Sequence, residues 1–202
     1  MSRPYTCVID PGHGGADPGA VANDIKEKDV NLEVALRLRK YVVQGDYLFL
    51  PFLTRGDDHY VSLQDRCEIA NTTKASLFVS LHCNARPMRG REGIEIETYY
   101  YPGSYVGEIV ASVLFNFLFV SIDEKYKCIP RGIKPGLVWS KEKKKMVPYY
   151  VLRHTKMPAV LVEMGFLTDP EEARWLNEGV NQNLLAQAIA EGIEISLEGG
   201  GI

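Results

Sequence analysis

Cysteine and histidine are both scarce in this 202-residue chain, with four of each. The cysteines, at positions 7, 67, 83 and 128, form no C-x-x-C pair, and Cys7 and Cys83 fall in apolar runs. That argues against a disulfide framework or a cysteine-type zinc site, and the thiols read as free and buried. Neither sign of charge is in large excess. The 23 basic and 26 acidic side chains leave a net charge of −3, which implies no general attraction to nucleic acid or to an anionic membrane. Long hydrophobic runs are missing as well. The longest, VASVLFNFLFV at 110–120, is interrupted by Ser112 and Asn116 and is too short to span a bilayer, so no membrane insertion is expected. The opening MSRPYTCVID carries no apolar export segment. A P-loop is absent too, because no Lys-Ser or Lys-Thr follows GHGGADPG.

What remains is an ordinary globular composition, 46% apolar and 24% charged, at a length that suits one domain. Strand and helix signals alternate along it. TCVID at 6–10 reads as a buried strand, and NLEVALRLRKYVV at 31–43 as a helix with Leu32, Ala35, Leu36, Leu38 and Tyr41/Val42 on its apolar face. YLFLPFL at 47–53 is strand-like, with Pro51 favouring an edge or a bulge. Ser62, with Asp65 three residues on, opens a helix over 63–74. SLFVSLH at 76–82 is a strand, and GIEIETYY at 93–100 alternates as a half-exposed one.

A stripe of Val106, Ile109, Val110, Val113, Leu114, Phe117 and Leu118 predicts a packed helix at 106–118. The stretch 121–150 has weak periodicity and reads as loop-rich; within it, KEKKK at 141–145 reads as a solvated loop, with contact to a polyanionic surface as the alternative. AVLVEMGF at 159–166 is a buried strand. Asp169 then caps a helix with Pro170 at its first position, and a last helix covers about 180–197. This order predicts a single α/β domain over 4–197, with a mostly parallel twisted sheet and helices on both faces, followed by a tail or linker stub at 198–202.

In such a sheet functional groups gather at the carboxyl ends of strands. His13 follows the first strand in VIDPGHGG, His82 ends SLFVSLH with Asn84 just after, and Glu163 interrupts a strongly apolar strand. Two histidines and a carboxylate make a three-ligand zinc site with one position open, and Glu163 is then a carboxylate left over for proton transfer. Each has a plainer reading. His82 is alternatively a satisfied histidine at a strand end, and Glu163 a structural acid paired with Arg153 or Arg55. Glu27 shares its polar segment with Asp24 and Asp29, so spacing does not single it out. Alternation points Cys83 away from His82, and His59, between acids, reads as solvated.

VIDPGHGGADPGA, then IKEKDVNLEVALRL, TRGDD, SLQDRCEIAN, FVSLHCNA, RGIK, VLRHTKMPAVLVEMGFLTDPEEA and AQAIAEGI, in that order over about residues 5–195, strongly resemble the zinc-dependent N-acetylmuramoyl-L-alanine amidases of the amidase-3 type. The resemblance implies one Zn²⁺ held by His13, Glu27 and His82, and Glu163 as the catalytic carboxylate. The implied reaction hydrolyses the amide between N-acetylmuramic acid and the L-alanine of the peptidoglycan stem. Arg131, Lys134, Arg153 and His154 match family segments near the substrate groove and are expected to contact substrate, and Asn84 to orient it. Some members carry a long insertion that folds a helix over the zinc. Here about 60 residues separate the strand at 93–100 from that at 159–166, too few for it, so a monomer with no obligatory activator is expected. The expected place of action is the cell envelope, reached as a released lysin or as the trimmed domain of a longer protein. A non-catalytic wall-binding module and a zinc peptidase or deacetylase are the competing readings. The first would be expected to lose Glu163 or a ligand, and the second is separable only by substrate.

Overall fold

A computed structural model describes residues 4–85 and 92–199. In chain order the elements are β1 (Tyr5–Pro11), β2 (Val21–Ala22), β3 (Ile25–Lys26), α1 (Glu27–Gln44), β4 (Phe49–Leu53), α2 (Leu63–Thr72), β5 (Leu77–Asn84) and β6 (Ile94–Tyr100). They continue with α3 (Tyr105–Asp123), β7 (Cys128–Pro135), β8 (Leu137–Ser140), β9 (Lys145–Pro148), α4 (Tyr150–His154), β10 (Ala159–Phe166), α5 (Pro170–Asn177) and α6 (Gly179–Glu198). The last helix thus includes Glu198, and residues 200–202 of the expected tail lie outside the described residues.

Six strands form the central sheet in the order β4-β1-β5-β10-β6-β7. Its pairings are parallel except where β10 meets β6. Pro51 lies in β4 at the sheet edge, where its missing N–H costs no ladder bond. β2 and β3 make a small hairpin whose turn residues, Asn23 and Asp24, are both left-handed (φ 51° and 60°), the backbone a two-residue hairpin requires.

Strand alternation divides the core between the two faces. Cys7, Ile9, Val79, Leu81, Val160 and Val162 pack with α1, α3 and α6 on one side. Val8, Phe78 and Leu161 meet α2 and α4 on the other. The first side is covered by helices of 18, 19 and 20 residues, the second by helices of only 10 and 5. Local signals set the helix starts. The Ser62 hydroxyl accepts from Asp65 N, and Asp169 accepts from the N–H groups of Glu171 and Glu172 with Pro170 in the first turn.

Three expectations are corrected. α3 runs from Tyr105 to Asp123, longer than the apolar tract suggests, and by length and composition alone it would suffice to cross a membrane. It is instead a packed helix, with Val110, Ala111, Leu114, Leu118 and Ile122 buried and Ile109 exposed, so its inner face is rotated from the expected stripe. Second, 121–150 contains β7, β8 and β9. Third, β6 is not half-exposed: Glu95 and Glu97 are each 1% exposed, because Arg131 and Lys134 on neighbouring β7 neutralise them. The four thiols are free and buried as expected, and burial pushes Cys67 up to about 11 and Cys128 up to about 12.

Candidate metal centre and its cavity

β1 ends in Asp10-Pro11, and the chain turns through Gly12 into His13, which has the left-handed φ of 62°. That conformation is uncommon for a residue with a side chain and must be held. Two buried arginines hold it. Arg55 donates to Pro11 O (2.9 Å) and Gly12 O (3.0 Å), and Arg66 to Pro11 O (2.8 Å) and His13 O (2.7 Å). Arg66 also pairs with buried Asp10 at 2.6 Å, whose oxygens accept in addition from Thr54 and Ser80.

Glu27 is the first residue of α1, not part of a preceding loop as the sequence suggests. Asn31, one turn on, shares its face and donates to Glu27 Oε1 at 3.4 Å. Read backwards, the buried stripe Leu38, Val34/Ala35 and Asn31 reaches Glu27 and passes over Asp24 and Asp29. That is the sequence signal by which Glu27 can be singled out.

The structure brings His13, Glu27 and His82 together, each offering a ligand atom within 4.8 Å of the others. Glu27 Oε1 lies 3.2 Å from His13 Nε2 and 2.8 Å from His82 Nδ1, and the two rings meet edge-on at 5.0 Å. Glu27 Oε2 accepts from Ala20 N at 2.8 Å. Asp17, which sequence reasoning missed, takes His13 Nδ1 at 2.8 Å and so leaves Nε2 to face the group. Burial alone would raise Glu27, but the two imidazoles outweigh it and hold the carboxyl well below the usual range. For His13 burial opposes the charge, while Glu27 and Asp17 prevail and keep the ring above its ordinary value.

Glu163 lies one strand over, in register with His82 on β5 and Glu97 on β6. Arg55, one suggested partner, is engaged with backbone carbonyls, and Arg153 is exposed on α4. Glu163 Oε2 is buried with no hydrogen-bond partner. Burial, reinforced by the Glu27 and Glu97 carboxylates, pushes its pKa well above the usual range. A cavity of about 400 Å³ opens over these groups, lined by His13, His82 and Glu163 and rimmed by the exposed side chains of Tyr60, Leu63, Val138 and Tyr150.

The residues present fit a divalent ion. Two imidazoles and a carboxylate converge, and an unpartnered carboxylate oxygen lies beside the same cavity. The surrounding backbone has been cleared for them: a Cβ on Gly12 would sit 2.2 Å from the His82 ring, and one on Gly19 2.5 Å from Glu27 Oε2.

The expected substrate contacts divide into two groups. Asn84, Arg131 and Lys134 do not line the cavity but are all bonded to Glu97, which lies in register with Glu163 on the adjacent strand and which Tyr99 also reaches at 2.8 Å. Arg153 and His154 do not line the cavity; they are exposed on the far side of α4, where His154 stacks on Tyr150 at 4.2 Å. Cys83 packs into the opposite core, and His59 pairs with Asp57 in an exposed loop.

An α/β domain that gathers two histidines from strand ends and a glutamate from a helix start into a group able to hold a metal ion, with an unpartnered carboxylate oxygen beside it, has the makeup of a hydrolase. The chain belongs to the amidase-3 family, whose model, described as N-acetylmuramoyl-L-alanine amidase, matches residues 7–195. It is 35% identical over 191 residues to the N-acetylmuramoyl-L-alanine amidase LytC of Bacillus subtilis, covering 93% of this chain and 34% of that protein. It is 38% identical over 188 residues to the endolysin of Bacillus phage SPP1, covering 92% of this chain and 63% of that one. The chain thus spans about a third of the length of the first and less than two thirds of the second. Among solved structures, an N-acetylmuramoyl-L-alanine amidase from Clostridium difficile 630 superposes with a TM-score of 0.84 at 32% identity, covering 98% of this chain and 100% of that one.

Proposed function

We propose that this domain is a zinc-dependent peptidoglycan hydrolase that cleaves the amide between N-acetylmuramic acid and the L-alanine of the stem peptide. The observation that carries the reading is Glu163: a buried carboxylate with an unpartnered oxygen, one strand from His82 and lining the same cavity as His13. His13, Glu27 and His82 hold the ion, a donor set suited to zinc. When bound, zinc supplies Lewis-acid chemistry, polarising the scissile carbonyl and acidifying water.

Glu163 takes the proton from the attacking water and returns it to the departing alanine nitrogen, leaving a lactyl carboxylate and a free amine. Burial and the neighbouring Glu27 and Glu97 carboxylates favour its protonated form, the state in which it carries the proton on to the leaving nitrogen. Asp17 fixes the His13 tautomer. Asn84, Arg131 and Lys134, joined through Glu97, form the flank against which the stem or glycan lies.

Between β6 and β10 the described residues place α3 on the opposite sheet face, and five-residue α4 and the β8 residue Val138 beside the cavity. Our reading is of an enzyme that acts in the cell envelope as a monomer and without an activator protein, and the assay includes the outcome that would refute the last point. The test compares zinc-loaded, chelated and Glu163→Ala protein on purified peptidoglycan, following turbidity and newly released amino termini. New N-terminal alanine that requires both zinc and Glu163 is the expected result. Other new termini would make the domain a peptidase. Intact wall with zinc bound would mean a binding module or an enzyme that needs an activator.

A further inference from the structure

The β8–β9 hairpin takes no part in the chemistry above, yet it stands beside it. Its strands pair Val138 with Val147 and Trp139 with Met146. Alternation therefore sets Val138 on one face and the Trp139–Met146 pair on the other. Val138 lines the cavity that holds Glu163, so the hairpin base forms part of the cavity wall. Trp139 and Met146 lie directly opposite each other and are 58% and 49% exposed.

Beyond them the tip carries Lys141, Lys143, Lys144 and Lys145 against a single Glu142, all exposed, in a chain whose net charge is −3. Among the described residues none of these lysines is held in an ion pair. The cations nearer the catalytic groups are otherwise engaged, Arg131 and Lys134 by Glu95 and Glu97, and Arg66 by Asp10. β8 rises about 13 Å over its four residues, which sets the reach from cavity wall to tip.

We propose that this hairpin is a docking arm for a polyanion of the cell wall, a polymer of phosphodiester-linked polyols or sugars, and that it keeps the cavity against the wall. The proposal rests on the amidase reading for its setting. Lysine ammonium groups meet successive phosphates as point charges, with no demand on angle. The flat Trp139 face packs against the C–H surface of the units between them. An arm that shares a wall with the cavity favours a polymer lying alongside the glycan over a lipid surface, because a bilayer at the tip would occlude the rim that admits substrate.

The test measures sedimentation of the full chain with walls, with walls stripped of their phosphodiester polymer, and with anionic phospholipid vesicles. Binding to soluble poly(glycerol phosphate) is measured alongside. Lys141→Gln/Lys143→Gln/Lys144→Gln is compared with the corresponding triple Lys→Arg variant and with Trp139→Ala; all are surface changes, and turnover of a small soluble muropeptide reports that each is folded. The expected result is binding at least about tenfold weaker to stripped walls, lost to a similar degree in the glutamine variant, retained in the arginine variant and weakened by salt. Muropeptide turnover stays unchanged throughout. Equal binding to stripped walls, or an unaffected glutamine variant, overturns the proposal, as does vesicle binding that exceeds polymer binding. If no protein cleaves muropeptide, the amidase reading fails, while the wall-binding comparison still decides the role of the arm.

Discussion

Replacing Gly12 with alanine tests the geometry of the metal centre more directly than removing a ligand. Gly12 is not left-handed, so alanine brings no backbone strain, and the turn is still held by Arg55 and by the Gly12 N bond to Leu81 O. The added methyl, however, would lie 2.2 Å from His82 Cε1, 2.4 Å from Nε2 and 2.7 Å from Nδ1. The ring must swing away, and its 2.8 Å approach to Glu27 goes with it. Losing only a supporting residue around a metal ligand costs about 10- to 100-fold in affinity, and displacing a ligand should reach the upper end. A hundredfold loss is about 2.7 kcal/mol less zinc-linked stabilisation at saturating ion, or about 5–11 °C of melting temperature for a domain of this size. The assay is thermal unfolding with chelator and with buffered zinc, beside a competition titration for affinity. Gly12→Ala should melt within a few degrees of the wild type when chelated and lose most of the zinc-induced rise. If it binds zinc as tightly as the wild type with the same rise, the His82 ring does not lie over Gly12, and the assembly of the site described above is wrong.

Glu163→Gln should retain one zinc per chain by metal analysis while turnover falls by roughly 10²–10⁴; loss of zinc along with activity would make Glu163 a ligand instead. Arg66→Ala leaves Asp10 buried without its counter-charge, and urea unfolding should show a loss of about 3–5 kcal/mol, a change below about 1 kcal/mol contradicting the clamp. Burial works against the Glu97 charge, but Lys134, Tyr99 and Arg131 prevail and hold its pKa below the ordinary value. Its contribution is therefore present above the unfolded carboxylate pKa of about 4.3 and is lost as pH falls through the lower folded value. The stability gap between wild type and Glu97→Gln should be widest at neutral pH and close below about pH 4; a gap that widens in acid would contradict the assignment.

Much of the layout could be read from the chain because its signals are local. Ser62, Asp169 and Pro170 act within one helical turn, Pro51 marks an edge through its own missing donor, and His13 and His82 stand where apolar runs stop. What escaped reading depends on residues far away in sequence. Glu95 and Glu97 look solvent-facing by alternation, and only β7, some 35 positions on, shows why they can be buried. β8 and β9 are four residues each and held by their own pairing, too short for a periodic signal. Arg153 and His154 follow Tyr149, Tyr150 and Val151, which line the cavity, but the turn of α4 carries them round to its exposed side. Glu27 falls between these cases, since its signal is local but lies in the helix stripe rather than in the polar segment around it.

The uneven cover on the two sheet faces bears on how a network polymer would be attacked. Short α2 and α4 border the cavity over Glu163, and its rim is formed by the exposed side chains of Tyr60, Leu63, Val138 and Tyr150, the setting of a surface cleft more than of a tunnel. A tunnel must be entered from a chain end, and a cross-linked mesh has few of those. A lateral cleft can be laid over any stem in the interior of the mesh. On the proposed amidase reading, the rate on intact wall would then depend on how much slack each strand has to bend into the cleft, and stretched wall would be cut at a different pace from relaxed wall by the same catalytic groups.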